Sequence, residues 1–233
     1  PELRANLRVS DRDLIALGVA LPDGLMRGTT AAEFALDFPK NAPPTYTITS
    51  DMVGISAAIP TLGWQKPTGS NGAFRLEGQL GDTPKIGAIT YSGQGLQAEA
   101  EIKLSDGKYA GMQISTLRLG DWLNTPIEIA KNGSIKILSG TVHLMEFLER
   151  RETGANSGAK VEIMLDRLVL DSKTNISNFR ASLNDNGLGP FSGRIKNTEI
   201  AGRLYSTPFG PGVELVSSKC SKTSRTSVCQ TTL

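Results

Sequence analysis

Residues 97–104, Gln-Ala-Glu-Ala-Glu-Ile-Lys-Leu, alternate polar and apolar without a break. Side chains of a strand point alternately to its two faces, so this octet makes a half-buried strand with one apolar and one wet face. It runs into Ser105-Asp106-Gly107-Lys108. Asp-Gly supplies the positive φ values of a tight hairpin turn, so residues 109–114 are expected to return antiparallel. The pattern repeats: Ile127-Glu128-Ile129 leads through Asn132-Gly133 to Ile135-Lys136-Ile137, a second expected hairpin. Further turn pairs at Asp23-Gly24, Asn71-Gly72 and Asn186-Gly187 separate short strand-like segments at residues 46–48, 74–80, 161–165 and 191–195. The 25 glycines and 12 prolines serve such turns, and the whole length reads as a mainly antiparallel, all-β meander.

Helical signals are few. Ser10 is a capping residue ahead of residues 11–17, and Gly18 is placed to end about two turns. Residues 145–152, before the glycine-bearing loop 154–158, fit either a second short helix or the end of a strand. Strands of the same character lie on both sides of that loop, so residues 1–217 read as one architecture. Residues 218–233 are rich in Ser, Thr and Lys and lack apolar periodicity, which predicts a disordered tail. Both cysteines, Cys220 and Cys229, lie in that tail and cannot staple the body.

Several function classes are disfavoured. With 25 Lys+Arg against 23 Asp+Glu and 6% aromatics, the chain has neither the charge nor the stacking residues of a nucleic-acid surface. One histidine and two remote cysteines cannot build a usual zinc set, and no acidic loop has calcium spacing, so no metal or other cofactor is expected. His143 sits in a period-2 pattern with no activated nucleophile, so it reads as a strand histidine facing solvent and not as a catalytic base. Gly93-Gln94-Gly95-Leu96-Gln97-Ala98 fits a relaxed dinucleotide fingerprint. That site needs a helix opening at its end, and a strand follows here, so the segment reads as a glycine-rich bend. Trp64 and Trp122 each sit at a strand-to-turn junction, where an indole either contacts a lipid or partner or, as general physics favours, plugs the end of an apolar stripe while its N–H finds an acceptor. The longest apolar run is about eight residues, short of a membrane-spanning helix. The sequence opens at Pro1 with no leader-like segment, so any anchor is expected outside it.

Several segments resemble the AsmA-like proteins of the bacterial envelope, specifically the YhdP-type, TamB-related branch. They are residues 10–22 (SDRDLIALGVALP), 50–54 (SDMVG) followed by 62–67 (LGWQKP), 117–122 (LRLGDW), 165–170 (LDRLVL), 176–181 (ISNFRA) and 189–194 (GPFSGR), in that order. Each is a packing or turn signature, and none is catalytic. The resemblance implies an elongated, twisted β-groove with one or two short helices. It implies a non-enzymatic segment of a periplasm-spanning bridge in a Gram-negative envelope. Such a segment is tethered to the inner membrane by an anchor elsewhere, with membrane proteins as further partners, and shields phospholipid acyl chains between the two membranes. The groove candidates are Ala98, Ala100, Ile102, Leu104, Ile114, Leu117, Leu119, Ile127, Ile129, Val161, Ile163 and Leu165. One alternative is a structural scaffold closed by its own second sheet. Another is a β-solenoid enzyme or carbohydrate-binding module, for which no cluster of acids and aromatics is present.

Overall fold

The computed structural model describes residues 1–16, 25–81, 85–105, 108–150, 158–208 and 210–217. The expected turns Asp23-Gly24 and Asp106-Gly107, the helix stop at Gly18, loop 154–157 and tail 218–233 lie outside these residues. Strand makes up 67% of the described residues and helix 7%, so the protein is all-β.

The first half holds β1 (Glu2–Ser10), α1 (Asp11–Ala16), β2 (Met26–Asp37), β3 (Thr45–Ser50), β4 (Ile55–Ile59), a single 3-10 turn (Pro60–Leu62), β5 (Trp64–Lys66), β6 (Ala73–Gln79), β7 (Lys85–Gly93), β8 (Leu96–Ser105) and β9 (Lys108–Leu119). The second half holds β10 (Leu123–Ala130), β11 (Ile135–Ile137), β12 (Thr141–His143), α2 (Leu144–Arg150), β13 (Val161–Val169), β14 (Asn175–Leu183), β15 (Gly189–Ile195), β16 (Thr198–Thr207) and β17 (Gly210–Ser217). All strands join one seventeen-stranded sheet. Pairing runs β1-β2-β3-β6-β7-β8-β9-β10, passes through the collinear β11 and β12 to β13, and continues in chain order to β17.

Both expected hairpins form. Strand β8 pairs with β9 through Ser105↔Lys108, and β10 pairs with β11 in the register Ile127↔Ile137, Glu128↔Lys136, Ile129↔Ile135. Gln94 and Gly95, at φ 50° and 76°, form the two-residue turn between β7 and β8, so the nucleotide-like motif is a hairpin bend. The meander departs from simple succession twice. Strands β11 and β12 pair parallel to β13. Strands β4 and β5 leave the main succession as a flap that pairs only with the first residues of β2, while β3 skips over them to β6. Asn71-Gly72 therefore ends the flap and does not close a neighbouring hairpin. Helix α1 carries the expected cap: the Ser10 hydroxyl accepts from the Asp13 amide at 3.3 Å, and the Asp13 carboxylate accepts from the Ser10 amide at 2.8 Å.

Two segments quoted above for their resemblance meet at the root of the flap. Lys66 is 1% exposed, and its Nζ donates to the carbonyl oxygens of Met52 at 2.7 Å, Ile55 at 2.9 Å and Ser70 at 2.7 Å, with that of Pro67 at 3.3 Å. Gly54, at φ 95°, donates its amide to the Thr68 carbonyl, and Gly72 donates to that of Asp51. Burial pushes the Lys66 pKa down, while the Asp51 charge raises it. The carbonyl dipoles favour the charged form in the same way, because an ammonium has three protons to donate and four acceptors face it. One cation thus ties both legs of the flap to each other.

Replacing Lys66 by Met keeps an unbranched chain and removes the shared donor: the Met52 carbonyl keeps the Ile55 amide and the Pro67 carbonyl the Ser70 amide and hydroxyl, while the Ile55 and Ser70 carbonyls lose the lysine's donation at about 1–3 kcal/mol each. K66M is expected to lower unfolding free energy by about 3 kcal/mol or more in urea denaturation. A change below about 0.5 kcal/mol would show that the cage is dispensable.

Candidate functional site

Cross-strand partners share a face, so the registers show where the apolar residues collect. One row passes through Ala5, Phe34, Ile48, Leu76, Ile89, Ala100 and Ile114, then Ile127, Ile137, Ile163, Ala181, Phe191, Gly202 and Leu215. It crosses fourteen strands, one residue from each, with no polar side chain. At about 4.8 Å between neighbouring strands the row is roughly 60 Å long. The opposite face is polar along comparable rows, for example Asn6-Glu33-Thr49-Arg75-Thr90-Glu99-Thr116 and Glu101-Gln113-Glu128-Lys136-Glu162-Ser182. Exposed ion pairs such as Lys103–Glu128 at 3.0 Å and Lys136–Glu162 at 3.3 Å decorate that outer face. They contribute little to stability at such exposure.

Burial across the apolar face is graded along the strands. Along one margin of the sheet, here the lower, Leu96, Leu119, Leu123, Val142, Leu168 and Ile176 form a second row, every member between 4% and 8% exposed. The flap covers part of this margin, with Trp64 6% and Ile55 1% exposed. Trp122 and Phe147 of α2 cover the rest, their rings 6.3 Å apart. Flap and helix touch, since a side chain at Gly63 would collide with the Arg150 carbonyl. Towards the opposite, upper margin, the fourteen-strand row is only half-buried apart from Ala100 and Ala181, and so is a third row of Ile102, Met112, Ile129, Ile135, Val161 and Leu183. Burial also pushes the phenols of Tyr46, Tyr91 and Tyr109 above the ordinary tyrosine value. The face is therefore covered along its lower margin and part-exposed towards the upper one.

Every sequence candidate falls on this face. Ala98 faces Leu117, and Ala100, Ile114, Ile127 and Ile163 belong to the long row. Ile102, Ile129 and Val161 belong to the upper row, and Leu104 pairs with Tyr109 above it. Leu119 lies in the sealed row, and Leu117 and Leu165 are also fully buried, so these three are core and not open lining. Leu165 and Leu168 both point inward because the strand is irregular between them: the amides of Asp166 and Arg167 both donate to the Gly140 carbonyl, while the Asp166 carboxylate accepts from the Gly140 amide at 2.9 Å. The indole expectation holds for Trp64, whose Nε1 donates to the Gln94 carbonyl at 3.2 Å. It is not met for Trp122 among the described residues, where its buried N–H has no acceptor and its ring lies beside Gly120 and Phe147. His143 ends β12 half-buried, its Nδ1 3.6 Å from a Glu146 carboxylate oxygen, and does not simply face solvent.

Among the described residues no helix is long and apolar enough to cross a membrane. Comparison with protein-family models, with curated proteins and with solved structures returns no match to this chain.

Trp64 is the flap's main apolar anchor, stacked edge-on against Tyr91 with centroids 5.7 Å apart. W64A is expected to cost about 3–5 kcal/mol and to raise binding of a hydrophobic dye as the lower row is uncovered. Unchanged dye binding in a destabilised but folded variant would show that α2 and Trp122 seal the margin unaided.

Proposed function

We propose that this chain is a non-enzymatic lipid-sheltering segment of the AsmA-like kind, holding phospholipid acyl chains against its apolar face on a periplasmic path between two membranes. The observation that carries the reading is the uninterrupted apolar row of fourteen strands, half-covered along most of its length. An enzyme site needs convergent polar groups, and a closed scaffold needs a layer that seals the long row as fully as the lower one. A conduit for hydrocarbon needs neither.

Magnitudes support transfer in preference to tight capture. Sheltering a methylene from water is worth about 0.8 kcal/mol, so about ten half-sheltered methylenes gain about 4 kcal/mol. The same methylenes are already sheltered in a bilayer. The face therefore lowers the cost of crossing water without trapping its cargo, and continuity of the row matters more than any one contact.

Native mass spectrometry of the protein purified without detergent from bacteria is expected to show bound phospholipid. Glutamate at Ile129 or Ile102, on the open part of the face, is expected to cut lipid occupancy about tenfold with an unchanged circular dichroism spectrum. Lysine at Glu128, the neighbour of Ile129 on the outer face, is expected to leave occupancy intact. A folded, monodisperse and lipid-free native protein would overturn the proposal in favour of the scaffold.

A further inference from the structure

We infer that the outer edge of β1 is a self-complementary interface, at which two copies of this chain pair antiparallel about a two-fold axis at Ala5 and join their sheets into one. The inference goes beyond the lipid-sheltering reading and does not depend on it.

Among the described residues β1 pairs only with β2, over all nine of its residues and without a register shift. The Phe38 amide donates to the Pro1 carbonyl, so Pro1 and the odd-numbered residues of β1 turn their backbone groups towards β2. The amides and carbonyls of Glu2, Arg4, Asn6 and Arg8 therefore line the outer edge, and Ser10 beyond them gives its amide to the Asp13 carboxylate. Edge strands are commonly blunted by lysine, proline or a bulge. Residues 2–10 carry none of these. The other edge strand, β17, opens on Gly210-Pro211-Gly212, in which the proline has no amide to donate.

The side chains select one register. Residues whose backbone groups face the edge must meet each other, so Glu2, Arg4, Asn6 and Arg8 pair among themselves. An axis at Arg4 sets that guanidinium against its own copy, and an axis at Asn6 sets Arg4 against Arg8. Axes at Leu3 or Leu7 leave Arg8 without a carboxylate. An axis at Ala5 pairs Glu2 with Arg8 of the second copy, Arg4 with Asn6 and Leu3 with Leu7, each twice by symmetry. Within its own chain Arg8 makes no ion pair among the described residues, and Glu2 uses Oε1 for Arg4, which leaves Oε2 for the second copy. Leu3 and Leu7 stand 53% and 41% exposed on the apolar face, and the pairing sets them together in non-hydrogen-bonded pairs, where facing side chains come closest. Because the axis runs normal to the sheet, the polar and apolar faces both continue across it. The long apolar row then passes Phe34-Ala5-Ala5-Phe34 and doubles to roughly 130 Å. About eight backbone hydrogen bonds form. The area is at the small end of stable interfaces, so the dimer is expected at about micromolar concentration and above.

Sedimentation equilibrium of the full chain is expected to show monomer and dimer and no larger species. R8E and E2R are each expected to weaken dimerisation about tenfold or more, and the double variant E2R/R8E to recover most of the loss. Both side chains are exposed, and an unchanged melting temperature confirms the fold. With Cys220 and Cys229 changed to serine, A5C is expected to give a disulfide-linked dimer on oxidation, whereas L3C links only when mixed with L7C. A protein that remains monomeric up to about 1 mM would overturn the interface. Open-ended assemblies, the product of β1 meeting β17, would overturn it as well, and so would a dimer indifferent to the charge reversals and to A5C. Bound lipid on the native protein reads the sheltering function separately, and that function stands or falls without the dimer.

Discussion

The structure depends on registration: every strand must present its apolar residues to the same face as both of its neighbours. Because the side-chain period is two, a slip of one residue anywhere would turn that strand's apolar set outward. Short turns enforce the register in most places, as at Gln94-Gly95 and in the β10–β11 hairpin. Where the chain cannot use a hairpin, between β12 and β13, the carbonyl and amide of Gly140 take over by holding Asp166 and Arg167. The left-handed φ of 100° at Gly140, and the Asn124 carbonyl against which a side chain there would collide, explain why a glycine occupies this junction.

A two-faced sheet of this length has a problem that a small β-sandwich does not, because among the described residues every strand belongs to one sheet and none forms a second layer over the long apolar row. The protein solves it on one margin only. A flap and a short helix cover the lower row, and the flap is held by a buried ammonium in place of a larger hydrophobic interface. Burying a lone charge is costly, and the Lys66 site offsets that cost with backbone dipoles from both legs of the flap. The result is rigid cover at one side and a part-exposed apolar strip beside it. Function, as proposed, resides in the difference between the two margins.

Much of this was legible in the residues. The alternation at 97–104 and the Asn132-Gly133 turn correctly located two hairpins, and all the groove candidates share one face, because strand periodicity is local and survives any tertiary arrangement. The sealed row was not legible: Leu96, Leu123, Val142 and Ile176 sit at strand ends whose cover comes from segments far away in sequence. Lys66 was missed for a related reason. A lysine between tryptophan and proline reads as an ordinary surface residue, and only the closure of residues 52–55 and 67–70 around it reveals a cage.

The sequence by itself determined the class of secondary structure, turns such as Asn132-Gly133 and which residues share a face, since these follow from the two-residue period of a strand and the conformational preferences of Asn-Gly and Gly. Only the tertiary structure decided that β3 passes over the flap to pair with β6, that β11 and β12 run parallel to β13, and that one margin is sealed while the rows towards the other stay part-exposed. Those outcomes depend on contacts between residues far apart in the chain, and no local pattern encodes which distant segment will arrive to cover a given apolar side chain.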